Sequence, residues 1–134
     1  MLLPALIAAG AALAAGHAMA CGEGLPSPKL MAESARYVLV WRTAPARPVV
    51  GEHFSVDLAV CPKPGANKAQ GVRVDAQMPD HRHGMNYRPT VTVSGSERYR
   101  AQGMLFHMPG RWMIEFQVSD GATTDRITAE LILK

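Results

Sequence analysis

With 134 residues and a formal charge of +3, the chain is sized for one domain and carries only mild basicity. Its positive residues, Arg73, Arg82, Arg88, Arg98, Arg100 and Arg111 among them, are scattered and lack the interleaved aromatics of a single-strand binder, so nucleic acid is not an expected partner.

Residues 1–20 carry no Asp, Glu, Lys or Arg and hold an apolar run from Leu2 to Ala15, followed by Ala18-Met19-Ala20, which has the small-x-small form of a leader cleavage site. The run is shorter than the roughly 20 residues a membrane span needs. The reading is a signal peptide over 1–20, an exported, periplasmic protein, and no transmembrane helix after cleavage. Cleavage after Ala20 leaves Cys21 first, with two outcomes open. Cys21 is either lipidated or paired with Cys61. Ala18 stands where bacterial lipoproteins usually carry Leu, and two cysteines in an oxidising compartment pair most simply with each other. Such a bridge closes a long loop and is worth about 4 kcal/mol on the chain-entropy model.

Residues 21–34 are rich in Gly, Pro and Ser and read as a lead-in, either held by a tether or mobile. Period-2 alternation then begins. Tyr37, Leu39 and Trp41 alternate with Val38, Val40 and Arg42, a strand apolar on both faces. Phe54, Val56, Leu58 and Val60 alternate with His53, Ser55, Asp57 and Ala59, a half-buried strand closed by Pro62-Lys63-Pro64-Gly65. Val72, Val74, Ala76 and Met78 form the inward face of a third strand, and Thr90–Val93 a short fourth. In the fifth, Tyr99, Ala101, Gly103 and Leu105 share one face and Arg100, Gln102, Met104 and Phe106 the other. Met108-Pro109-Gly110-Arg111 suits a type II turn, after which Trp112, Ile114, Phe116 and Val118 face inward, and Asp125–Leu133 ends the domain. About seven short strands without a helix-length periodic segment predict an all-β, immunoglobulin-like antiparallel sandwich over 35–134.

The chemistry concentrates in Met78-Pro79-Asp80-His81-Arg82-His83-Gly84-Met85 and in Phe106-His107-Met108-Pro109-Gly110. If 81–85 is extended, His81, His83 and Met85 share a face. Imidazole nitrogen with thioether sulfur suits copper better than the oxygen-seeking calcium or magnesium. His81, His83 and Met85 are the first candidates, His107 and Met108 join them if the two loops meet, Met78 is an additional thioether, and Asp80 is placed to orient an imidazole. His53 reads as structural. Such a mixed donor set fits a carrier exchanging copper with a donor or acceptor protein, not a catalyst. Two enzyme readings are weaker. A Ser94-His-Asp80 set lacks any Gly-x-Ser-x-Gly elbow, and a zinc hydrolase would need His81, His83 and His107 to converge. The remaining reading is an interaction module without metal, its loop shaped by Gly84 and Asn86.

The run Met78-Pro79-x-His81-x-His83-Gly84-Met85-Asn86, with Arg98-Tyr99-Arg100-Ala101-x-Gly103 and Phe106-His107-Met108-Pro109-Gly110-x-Trp112, resembles the YtkA-like domain proteins, related to the FixH group. The resemblance covers roughly residues 35–134. It implies a small exported immunoglobulin-like sandwich, in settings of copper handling or of respiratory-complex assembly in the envelope.

Overall fold

The computed structural model describes residues 20–134, so the leader expected over 1–20 lies outside the described residues apart from Ala20. Nine strands occur among the described residues: β1 (Leu30–Glu33), β2 (Tyr37–Ala44), β3 (His53–Pro62), β4 (Gly71–Met78), β5 (His83–Gly84), β6 (Thr90–Gly95), β7 (Arg98–Leu105), β8 (Gly110–Ser119) and β9 (Thr124–Leu133). They form two antiparallel sheets, ordered β1-β2-β3-β7-β6 and β5-β4-β8-β9. No helix among the described residues is long and apolar enough to cross a membrane.

The alternation read in the sequence becomes the core. Tyr37, Leu39, Trp41, Val56, Leu58 and Val60 of one sheet pack with Val72, Val74, Ala76, Ile114, Phe116 and Val118 of the other. Trp41 meets Phe116 with ring centroids 5.6 Å apart.

Three expectations are corrected. The strand count is nine and not seven, because β1 and β5 are too short to show a period. Residues 21–34 are more than a lead-in, since β1 pairs with β2 and the turn at 21–24 covers the outer face of that strand. Only glycine fits at position 22, where a Cβ would stand 2.6 Å from the Val40 side chain. This cover explains the second apolar face of β2. The third correction concerns β7. Phe54 pairs with Met104 but Val56 with Ala101, so Gln102 and Gly103 together oppose Ser55. Gly103 adopts φ +86° in this bulge, and the inward face passes from Ala101 to Met104 and Phe106.

Cys21 and Cys61 are joined, with Cα atoms 5.9 Å apart, so of the two outcomes left open for Cys21 the structure has the disulfide. It fastens the N-terminal turn to the end of β3. At the same end of the molecule, Arg36 links the sheets. Its guanidinium reaches Asp120 in the β8–β9 turn at 2.7 Å and Asp125 on β9 at 2.8 Å. Asp120 also accepts the amides of Thr123 (2.8 Å) and Ala122 (3.0 Å), and these bonds, with Arg36 behind them, hold its carboxyl far below the usual range. Asp125 is lowered first by Arg36 and then by the Ser34 hydroxyl.

Two outcomes follow for stability. Replacing both cysteines by Ala removes a cross-link across a sequence separation of 40 residues. Urea unfolding should show a loss of about 3–4 kcal/mol. Carboxylates with depressed folded-state values give stability that is complete above about pH 4 and fades as pH falls below it. Thermal unfolding followed by circular dichroism should therefore drop steeply below about pH 4, and Asp125→Asn, less stable at neutral pH, should lose less on acidification.

Candidate functional site

β4 delivers Met78 to the end of the molecule opposite the Arg36 cluster. Residues 79–82 form a four-residue turn, closed by the His81 amide on the Met78 carbonyl at 3.1 Å, and His83 returns opposite Met78 as the start of β5. Arg82 takes φ +56°, a left-handed value uncommon for a residue with a side chain. Residues 81–85 are therefore not one extended run. The chain from β7 to β8 arrives at the same rim, and with it His107.

Two separately encoded loops thus meet. The His81 and His83 rings lie 5.7 Å apart, nearly parallel at 27°, and His83 and His107 are 5.0 Å apart. Trp112 lies under the row, its ring 6.1 Å from His83 and 5.5 Å from His107, near edge-on to both. Trp112 is fully buried and stacks flat on Phe106, with centroids 4.3 Å apart and 8° between planes. Its indole Nε1 donates to the Met108 carbonyl at 3.0 Å, which pins the β7–β8 connection. Sequence reading placed Trp112 inward without identifying it as this platform, although its place just after Met108-Pro109-Gly110 was the available signal.

The three imidazoles differ in what they offer. His83 is half-buried, and its Nδ1 lies 3.1 Å from the Gly84 carbonyl. A carbonyl only accepts, so in this bond Nδ1 carries the proton and the lone pair of the neutral ring is on Nε2. This is the support that metal-binding imidazoles ordinarily have. His107 is different. Its Nδ1 is shut off from solvent with no hydrogen-bond partner among the described residues. Placing a proton there strands a donor, so donation from Nε2 carries a cost that His83 does not meet. His81 is exposed.

Asp80 does not orient an imidazole. Arg111 takes both its oxygens, Nε to Oδ2 at 3.2 Å and Nη2 to Oδ1 at 2.9 Å, and this pair lowers the Asp80 carboxyl and raises the guanidinium. Met78 is 1% exposed, with its methyl packed over Gly110. Met85 and Met108 are half-buried against the core. His53 stands outside the row, with its ring edge-on to Tyr87 at 5.1 Å. Among the described residues no group of three or more His, Cys, Asp or Glu side chains is disposed to hold an ion, so the converging zinc triad of His81, His83 and His107 is not formed. Thioethers lie outside that set of donors. His83 has an imidazole on either side of it.

Compared with family models, with curated proteins and with solved structures, the chain matches none.

The burial of Met78 generates a test of its role. Met78→Leu conserves volume and should cost less than about 1.5 kcal/mol. Met78→Ala should cost about 2–5 kcal/mol. Silver(I) titration should show Met78→Leu binding as the wild type does, since a thioether held in the core serves packing.

Proposed function

We propose that this is an exported β-sandwich protein that binds copper at the His-Met rim and passes it on, without catalysing a reaction. The observation that carries the reading is the His83 ring, braced through Nδ1 and flanked by His81 and His107, with Met85 two residues after His83 and Met108 directly after His107 in sequence. Thioether with imidazole favours copper(I) while admitting copper(II), the pairing expected of a carrier and not of a fixed redox centre. Bound copper would supply soft-ligand exchange. The protein's own part is to hold His83 in one orientation and to support the row on Trp112.

The disulfide agrees with an oxidising compartment such as the periplasm. The strand order favours the immunoglobulin-like form of the sandwich. Without the edge strands β1 and β5, the order β2-β3-β7-β6 against β4-β8-β9 is compatible with the arrangement in which strands A, B, E and D face C, F and G. The motif resemblance to the YtkA-like group belongs to the same reading.

Two observations favour the alternative, an envelope or respiratory-assembly module that uses this rim without metal. The unpartnered Nδ1 of His107 and the edge-on rings around Trp112 are what a packing corner would also show.

Copper(I) or silver(I) titration of the protein under anaerobic conditions separates the two. The carrier should take up one equivalent and unfold at a higher temperature when loaded. His83→Ala should lower affinity by about 10–100-fold or more, and His107→Ala by less, because only His83 is braced for donation. Absence of uptake, or equal losses in both variants, defeats the carrier reading in its stated form.

A further inference from the structure

β4 is an open edge for most of its length. β5 covers only Gln77 and Met78, and beyond them the Met85 amide donates to the Ala76 carbonyl at 3.3 Å. In an antiparallel ladder alternate residues turn their N–H and C=O groups to the same side. Ala76 faces β5, so Val72 and Val74 face that side as well, where no strand lies among the described residues. Asp75 closes the Ala76 amide with its own carboxylate at 2.8 Å. Among the described residues no hydrogen bond reaches the edge-facing groups of Val72 and Val74.

Beside them lies a cavity of about 380 Å³, lined by the apolar Val72, Val74, Pro89 and Val91 and by Arg73 and Arg88. Its charges are unequally committed. Glu115, on the same wall, is held by Arg126 and Gln117, and Asp75 is turned to its own backbone. Arg73 and Arg88 have no ion-pair partner among the described residues.

We infer that the β4 edge is a docking site for an extended acidic segment of a partner protein, added as a strand beside Val72 and Val74. The ladder fixes the recognition pattern. Side chains of an added strand alternate, one set lying over Val91 and Pro89 and the other beside Arg73, so the segment alternates apolar with acidic residues. A second copy of β4 fits less well. Antiparallel self-pairing about Val74 sets Val72 opposite the copy's Ala76, whose amide and carbonyl are already bonded. This site is separate from the imidazole row and does not depend on metal.

The test is fluorescence anisotropy of a labelled peptide alternating Val and Glu, titrated with the intact protein without metal. Saturable one-to-one binding is expected, with the Val72 and Val74 amides becoming protected from hydrogen exchange. Methylating the peptide's alternate backbone nitrogens should weaken binding by about tenfold or more, as loss of one or two hydrogen bonds requires. Arg73→Glu with Arg88→Glu should weaken it by a similar factor or more, with an unchanged thermal midpoint showing that the variant folds. Failure to bind, equal binding of the methylated peptide, equal binding by the double variant, or self-association through β4 in sedimentation would each overturn the proposal.

Discussion

The bulge at Gly103 governs what the rim presents. Up to Ala101, β7 turns its odd-numbered residues to the core, and continued alternation would leave Phe106 on the outside. Two residues opposing Ser55 shift that phase by one. Phe106 therefore turns in, to lie flat on Trp112 and edge-on to Phe54 with centroids 4.9 Å apart. His107 follows at the boundary, and Trp112 becomes a wall shared by core and rim. A change in backbone phase within β7 is thereby expressed as the position of an imidazole on the next loop.

The polar groups at that rim divide their work. Arg111 takes Asp80 and also stands 3.6 Å from Glu130, so both carboxylates are engaged in a surface ion-pair network. The imidazoles must be oriented by other means. His83 uses a backbone carbonyl, and His107 leans on Trp112 without a partner for Nδ1. The contrast makes His83 the most firmly oriented imidazole of the row. It also shows why counting histidines overstates a site, since equal residue types at similar ring spacing differ in which nitrogen they can offer.

Much of the fold was legible because burial on one face of a strand imposes a period of two. Val72, Val74 and Ala76, and Trp112, Ile114, Phe116 and Val118, are inward as the alternation predicts. What escaped was whatever breaks or lacks that period. The Gly103 bulge reverses Met104 and Phe106 without altering the composition of β7, and β1 and β5 are too short to alternate visibly. The meeting of the two His-Met segments was legible only as a condition on topology, and the placement of His107 beside His83 meets it. The extended run at 81–85 failed because a four-residue turn with Arg82 left-handed reverses the chain first. The capture of Asp80 by Arg111, 31 residues away, left no local mark in the sequence.

The brevity of β5 connects the two surfaces of interest. A hairpin strand of ordinary length would have covered β4 down to Val72 and satisfied its edge-facing amides and carbonyls. Instead β5 ends at Gly84, and Met85 makes one last bond to Ala76. The chain then leaves the ladder through Asn86 and Tyr87 to Arg88 and Pro89, which become part of the cavity wall. The turn before β5 sets His83 opposite Met78 at the rim, while the early exit after Gly84 leaves Val72 and Val74 open. An exposed edge is a hazard for indiscriminate strand pairing, and charged side chains along it are one of the means by which proteins limit that hazard. Arg73 and Asp75 stand on this edge, and Arg88 faces it across the cavity. They restrict what can pair there, so a feature that protects against aggregation also selects a partner by charge.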